Sequence, residues 1–163
     1  MVGCGENVEI VEKKWRTKNN MLIGEFHYNI DQKGRLMIPA KFRQRFGLEA
    51  IITRGIDKCL FVFPKDEWEK VVDKLLKLPL SQANSRAFTR LMLAGAHQME
   101  IDNQGRILIP ENLRKYAEIS KKVVVLGLYS RLEIWDEKIW EEYKKNSESQ
   151  SEEIAEKLSE LGI

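Results

Sequence analysis

The alternation of apolar and polar residues predicts short strands interspersed with short helices. Stretches rich in β-branched and aromatic residues are typical of strands, and they occur at 24–30, 35–38, 50–53, 59–63, 122–126 and 131–135. Pro39 and Pro110 each begin a predicted short helix, 39–46 and 110–116, because proline fits the first turn of a helix. We expect a hairpin-like turn or a tight reversal between the first two strands, and a strand pair from each later couple.

Apolar residues at three- and four-residue spacing predict amphipathic helices. One begins after Pro64 and carries its apolar face from Trp68 to Leu78, and a bridging helix spans about 84–94. The polar, serine-rich stretch 144–151 indicates a flexible linker. Beyond it, 151–161 is predicted as a short acidic helix with Ile154, Leu158 and Leu161 facing inward.

An internal repeat organises the chain. Residues 30–39 align with 101–110 at an offset of 71, and six of the ten positions are identical. The match continues through Gly24 with Gly95, Arg43 with Arg114 and, after a one-residue slip, Trp68 with Trp140. We therefore divide the chain into an extension of unknown role (1–20), a first repeat (21–80), a bridging helix with a second repeat (81–145) and an acidic tail (146–163).

Composition excludes several classes of protein. The 163 residues are 43% hydrophobic, which is ordinary for a globular chain, and the longest apolar run, 123–129, is too short for a membrane helix. Residues 1–20 lack the apolar core of a secretory signal, so we expect a cytoplasmic protein. Two cysteines and two histidines without close spacing predict neither a disulfide framework nor a metal site.

The small net charge of +2 conceals an uneven distribution. Residues 1–132 hold 23 bases and 15 acids, a net charge of +8, whereas 133–163 hold 4 bases and 10 acids, a net charge of −6. A basic body with an acidic tail is compatible with a nucleic-acid partner, and the alternative is a solvated helix at the end of the chain.

The repeated Asp-x-x-Gly-Arg motif is the candidate for binding chemistry. Glycine permits the positive φ of a tight turn, and the guanidinium fork of Arg35 or Arg106 matches a phosphate or a guanine edge. Asp31 and Asp102 would repel phosphate, so we assign them to supporting the turn or the arginine. The alternative is a local Asp–Arg ion pair that only stabilises the turn.

The strongest local concentration of positive charge surrounds the first motif. Residues 31–54 carry six bases and two acids. Lys41 and Arg45 are four residues apart on one predicted helix face, where a phosphate could lie between them, and the alternative is a solvated face. Arg43 could instead serve a structural role between repeats, and Trp68 and Trp140 are interpreted as core or subunit-contact residues.

These residues resemble the MraZ family of bacterial transcription regulators, which is related to the AbrB-like swapped-hairpin DNA binders. The resemblance covers about 21–143 and depends on the duplicated Asp-x-x-Gly-Arg motif and the Arg-Leu-x-Ile-Pro-Ala-Lys-Phe-Arg run at 35–43. It implies an interlocked double swapped-hairpin β-barrel with short helices, in a ring-shaped homo-oligomer. It also implies DNA-facing roles for residues of both motifs, namely Asp31, Lys33, Gly34 and Arg35 in the first and Asp102, Gly105 and Arg106 in the second.

We therefore predict a sequence-specific DNA-binding transcriptional regulator, with no catalytic role and no cofactor. By resemblance it would repress its own division and cell-wall gene cluster from short direct repeats upstream, and associate with the nucleoid. The second turn has Gln104 where the first has Lys33, which makes it less basic. The alternative function is a protein-interaction module, or an antitoxin-like ring that sequesters a partner protein.

Overall fold

A computed structural model of the protein describes residues 21–163, and the predicted extension 1–20 lies outside the described residues. Its strands are β1 Leu22–Asn29, β2 Arg35–Met37, β3 Glu49–Arg54, β4 Leu60–Phe63, β5 His97–Glu100, β6 Arg106–Leu108, β7 Lys122–Tyr129 and β8 Leu132–Asp136. Its α-helices are α1 Arg43–Phe46, which follows a 3-10 turn at Ala40–Phe42, α2 Lys65–Leu76, α3 Ala83–Ala94, α4 Glu111–Tyr116, α5 Glu137–Ser149 and α6 Ser151–Ser159.

The two repeats share one antiparallel sheet. Its six strands follow the order β1-β7-β8-β4-β3-β5, and β2 pairs with β6 in a separate two-stranded ribbon. The first strand of each repeat pairs with a strand of the other repeat, β1 with β7 and β5 with β3. The mixed α+β class is confirmed. Within residues 21–163 the sheet has β1 and β5 at its two ends, so the implied barrel stays a prediction.

The local strand pairs were only partly predictable. The couples β3–β4 and β7–β8 form as antiparallel pairs, as expected. The first two strands do not form the predicted hairpin, because they do not pair with each other. Instead, β1 pairs with β7 and β2 pairs with β6. The alternative of a tight reversal is the one that the structure contains.

The sheet is covered on both faces, which explains its nearly continuous apolar strands. Along β7, Val123 and Val125 pack in the cluster under the ribbon and the short helices, whereas Val124 and Leu126 pack in a second cluster with the long helices. Side chains alternate in this way because successive residues of a strand point to opposite faces. The ribbon and the long helices therefore lie on opposite sides of the sheet.

The long helices confirm the amphipathic pattern. Trp68 of α2 packs against Phe63 with ring centroids 5.5 Å apart, and Trp140 of α5 lies 5.4 Å from Trp135. Both tryptophans are partly buried, in agreement with their interpretation as core residues.

The predicted linker at 144–151 is wrong, because α5 continues to Ser149. The Asp136 carboxylate caps its start by accepting from the Lys138 N–H at 3.1 Å, and the Ser147 hydroxyl donates to the Tyr143 carbonyl at 2.9 Å. The acidic helix α6 forms as predicted. Its residues Ile154, Leu158 and Leu161 do not face inward, since they are 40%, 37% and 74% exposed.

Candidate nucleic-acid interface

The repeated Asp-x-x-Gly-Arg motif forms the same turn twice. In the first, the Gly34 N–H donates to the Asp31 carbonyl at 3.0 Å, and one carboxylate oxygen of Asp31 accepts from the N–H groups of Lys33 and Arg35 at 2.9 Å each. In the second, Asp102 accepts from the N–H groups of Gln104 and Arg106 at 2.9 Å each. Each aspartate therefore closes its turn from within, as its residue type suggests.

Each aspartate also holds the arginine of its motif. The Arg35 Nε donates to Asp31 Oδ2 at 2.6 Å, and the Arg106 Nε donates to Asp102 Oδ2 at 2.8 Å. The two arginine side chains are 32% and 24% exposed. Among residues 21–163, no hydrogen bond is made by the terminal Nη atoms of either arginine. The ion pair thus fixes the side chain and leaves the outer end of the guanidinium without a partner in this part of the chain.

The same contacts set the ionisation of the two carboxylates. The Arg35 backbone N–H, assisted by the Arg35 side chain, holds the pKa of Asp31 below its usual range. The Arg106 backbone N–H and side chain lower the pKa of Asp102 in the same way. Both turns therefore carry an ionised carboxylate at neutral pH.

The motif glycines are required by backbone conformation and by an arginine of the opposite repeat. Gly34 and Gly105 have φ of +85° and +80°. A Cβ on Gly34 would lie 2.9 Å from Cζ of Arg114, and a Cβ on Gly105 would collide with the Arg43 guanidinium. An arginine of the opposite repeat therefore fills the space above each motif glycine.

The structure favours the structural role for Arg43. Its Nε donates to the Ile38 carbonyl at 3.2 Å, while its guanidinium covers Gly105. Arg114 occupies the equivalent place over Gly34. The repeat alignment, which pairs Arg43 with Arg114, was the available signal for this mutual packing.

The arginines of the two turns meet on the solvent side of the β2–β6 ribbon. Arg35 lies opposite Leu108 and Met37 lies opposite Arg106, so these four residues share one face, which we call the ribbon face. The residues between them, Leu36 and Ile107, are buried on the other side. Diagonal neighbours in such a ladder are roughly 7–8 Å apart, so the structure brings Arg35 and Arg106 together. Sequence reasoning did not include Met37 and Leu108.

The surroundings of the two turns differ in charge. Beside the first turn, the Lys121 carbonyl accepts from the Ile30 N–H at 2.8 Å, which brings the exposed Lys121 to the same turn as the exposed Lys33. Beside the second turn, the Leu48 carbonyl accepts from the Ile101 N–H at 2.9 Å, so exposed Leu48 and Gln104 take the equivalent places. The first turn therefore has two lysines where the second turn has none.

The structure separates Lys41 from Arg45. The Lys41 ammonium lies over the rings of Phe26 and Phe42, 4.8 and 5.0 Å from their centroids. Arg45 makes a bidentate pair with Asp66 at 2.7 and 2.8 Å and a further hydrogen bond to Glu67 at 3.0 Å. The structure does not contain the predicted phosphate site between Lys41 and Arg45. The Lys41 ammonium contacts aromatic rings instead, and the Arg45 guanidinium binds carboxylates.

Other chemistries have little support among the described residues. Within 21–163, no group of three or more His, Cys, Asp and Glu side chains is arranged to hold a metal ion. The Cys59 thiol is buried, and burial raises its pKa far above the ordinary value. No helix in this part of the chain combines the length and apolar character needed to cross a bilayer.

Comparison with known proteins gives a consistent family. A family model described as "MraZ protein, putative antitoxin-like" matches twice, over residues 21–91 and 92–161. The double match confirms the internal repeat, and its boundary falls within α3.

Two relatives named "Transcriptional regulator MraZ" match over 143 residues, which are 88% of this chain and 100% of each relative. The relative from Thermoanaerobacter sp. (strain X514) is 51% identical, and that from Thermoanaerobacter pseudethanolicus is 52% identical. The solution structure of PHS018 from Pyrococcus horikoshii is also similar, at 19% identity and a TM-score of 0.32, over 68% of this chain and 92% of that chain.

Proposed function

We propose that this protein regulates transcription by binding duplex DNA through the ribbon face. The chain belongs to the MraZ family of transcriptional regulators, which is the basis of this proposal. Membership of this family also means that the chain is not an enzyme. The DNA contact is the proposal, and the residues that we assign to it are Lys33, Gly34, Arg35, Gly105 and Arg106.

The free outer end of the motif arginines is the observation that supports this function best. Asp31 binds Arg35 through Nε, and within residues 21–163 the donors of the two Nη groups are not used. A guanidinium held in this way can donate two parallel hydrogen bonds to O6 and N7 of a guanine, or to one phosphate. The aspartate restricts the side chain before binding, which reduces the entropic cost of binding.

One such contact is too weak to select an operator. A bidentate contact to a base discriminates by about 1–3 kcal/mol, so useful affinity requires several subunits on one duplex. We therefore propose a homo-oligomer, a ring in the arrangement implied by the family, that binds short direct repeats upstream of its own division and cell-wall gene cluster and represses it at the nucleoid. The exchange of first strands between repeats supports the interlocked swapped-hairpin core that would hold both turns at fixed spacing.

The two helix cations are assigned lesser roles in the same complex. Lys41 stays exposed while its ammonium rests on aromatic rings, so it remains available to a phosphate. Arg45 would first have to leave Asp66, since its side chain is only 19% exposed in that ion pair. We therefore expect Arg45→Ala to alter DNA affinity less than Lys41→Ala does.

A mobility-shift titration with the DNA upstream of the gene tests the function. Arg35→Ala should weaken binding by about tenfold or more, because it removes a base contact from every subunit. Arg35→Lys keeps the charge but not the fork, so it should retain binding to unrelated DNA and lose preference for the operator. Lys138→Ala removes an exposed cation at the start of α5 and is the matched control, which should bind normally. Failure of the wild type to shift the fragment at low salt, or normal binding by Arg35→Ala, would reject the proposal.

A further inference from the structure

The C-terminal helix presents an apolar stripe with nothing to cover it among residues 21–163. Ile154, Leu158 and Leu161 recur at spacings of four and three, so they lie on one side of α6 and the residues just after it. Every residue from 151 to 163 is exposed. A short helix gains most of its stability from packing an apolar face, which makes this stripe a contact surface that lacks its partner within the described chain.

The same segment is strongly acidic. Residues 147–163 contain the five acids Glu148, Glu152, Glu153, Glu156 and Glu160 and the single base Lys157, a net side-chain charge of −4. Among residues 21–163, only Glu153 of these acids makes an ion pair, with Lys157 at 2.7 Å. The surface that covers the stripe should therefore be both apolar and basic.

The segment that joins the two helices after β4 has both properties. We call residues 74–90 the elbow, because they join the end of α2 to α3. The elbow contains four bases and no acid, a net charge of +4, and its bases are Lys74, Lys77, Arg86 and Arg90. None of the four makes an ion pair within residues 21–163. Its exposed apolar residues are Leu76, Leu78, Leu80 and Phe88, at 69%, 36%, 80% and 37%.

The elbow is also locally ordered by its own contacts. The Arg86 Nη1 donates to the Leu80 carbonyl at 2.8 Å, which ties the first turn of α3 to the preceding loop. Residues 76–84 are all exposed, as are all those of α6, so neither surface covers the other within one chain. The elbow packs on the same side of the sheet as α5, opposite the ribbon, so an occupant there leaves the ribbon face free.

We propose that the elbow of one copy binds the C-terminal helix α6 of a second copy, with the apolar stripe against the leucines and the glutamates beside the four bases. This inference rests on the proposed homo-oligomer and names the surfaces that hold it together. Tail and elbow are different patches, so the contact is heterologous, and repeated head to tail it forms a ring when the rotation closes. A nine-residue helix buries too little surface to hold two copies together tightly. In a closed ring every copy is held by two such contacts at once, and this avidity stabilises the assembly.

Charge reversal tests the contact without any DNA. Lys77→Glu and Glu156→Lys should each weaken self-association by about tenfold in analytical ultracentrifugation at low salt, because each places like charges together. Combining both changes in one chain should restore association. Mixing the two single variants should also restore association, since the intact tail of one then meets the intact elbow of the other and the two reversed surfaces also attract each other. Lys65→Glu reverses an exposed charge at the other end of α2 and is the matched control, which should associate like the wild type.

The apolar component is tested by Leu158→Ser and by ending the chain after Gln150. Both should reduce the assembled mass while leaving the far-ultraviolet circular dichroism of the sheet and the melting temperature of the subunit unchanged. An unchanged assembled mass after truncation would overturn the proposal, as would single variants that fail to associate on mixing. Because mass and DNA binding are measured separately, absence of the Arg35 effect on DNA would reject the proposed function and leave this interface standing.

Discussion

At the scale of single residues, Asp31 performs two functions that usually fall to different side chains. One oxygen accepts from two backbone N–H groups of the turn, and the other accepts from the Arg35 Nε. The carboxylate therefore fixes the backbone and the side chain that follows it in a single geometry.

The lowered pKa of Asp31 predicts the acid stability of the first turn. A group whose pKa is lower in the folded state stabilises the fold above its unfolded pKa, about 3.9, and loses that effect as the pH falls through the folded pKa. Asp31→Asn should therefore lower the melting temperature at pH 7, and the difference from wild type should shrink below pH 4. Thermal unfolding followed by circular dichroism from pH 7 to pH 2.5 measures this, and a constant difference would contradict it.

His27 predicts the opposite pH dependence. The hydrogen bond from its ring to Glu137, at 3.1 Å, raises its pKa, and Glu25 acts in the same direction. The stabilisation is fully present below the unfolded pKa of about 6.5 and is lost as the pH rises through the folded value. His27→Gln should thus cost stability at pH 6 and little at pH 9. A histidine ring titration by NMR should give a midpoint above 6.5, which falls in Glu137→Gln, and a midpoint that ignores Glu137 would reject the ion pair.

At the scale of elements, the two repeats are joined by short helices that reach across to the opposite turn. Arg43, the first residue of α1, covers Gly105, and Arg114 of α4 covers Gly34. Each turn of the ribbon is therefore supported by the other repeat. This arrangement makes the glycines indispensable for packing as well as for their positive φ.

A double-mutant cycle separates the cost of the positive φ at Gly105 from the cost of displacing Arg43. Gly105→Ala should destabilise the protein by about 2–4 kcal/mol, from backbone strain of about 1–2 kcal/mol plus the displaced arginine. In an Arg43→Ala background the same change should cost roughly the strain alone. In an Arg114→Ala background it should keep its full cost, because Arg114 contacts Gly34. Equal costs in all three backgrounds, measured by urea denaturation, would show that Arg43 does not restrict this position.

The elements themselves were largely predictable from sequence, and their partners were not. Proline, glycine and β-branched residues mark the ends and types of elements locally, so the bounds of α4 and β4 agree with expectation within a residue or two. Which strand pairs with which depends on the exchange of first strands between the repeats. The local sequence around Gly34 is compatible with a hairpin and also with a turn between strands that pair elsewhere, so it does not distinguish the two. The helix at 144–149 was missed because its serines bond to carbonyls one turn back.

The candidate site was predictable at its centre and not at its margins. A repeated motif identifies Arg35 and Arg106 from the sequence alone, since duplication makes chance similarity improbable. Lys121 comes to the first turn only through the pairing of β1 with β7, which no local sequence signal predicts. The ion pair between Arg45 and Asp66 is likewise a tertiary contact between residues 21 apart.

At the scale of the whole molecule, pseudo-symmetry of the backbone combines with asymmetry of charge. The two turns have nearly identical hydrogen bonds, so both arginines can dock in the same way. The first turn has the exposed lysines Lys33 and Lys121, whereas the second has Gln104 and Leu48 in the equivalent places. A duplex carries negative charge along its whole length, so it should lie closer to the first turn, which has the two lysines.

This asymmetry predicts unequal losses from equivalent substitutions. Arg35→Ala should weaken operator binding more than Arg106→Ala, and the double variant should be close to Arg35→Ala alone. Lys121→Ala should reduce the slope of log affinity against log salt by about 1 per subunit for each phosphate that is no longer neutralised, whereas Gln104→Ala should leave the slope unchanged. Titrations at low and at physiological salt provide both measurements. Equal losses from Arg35→Ala and Arg106→Ala would mean that DNA reads the two turns alike, and that the charges beside them do not orient the duplex on the ribbon face.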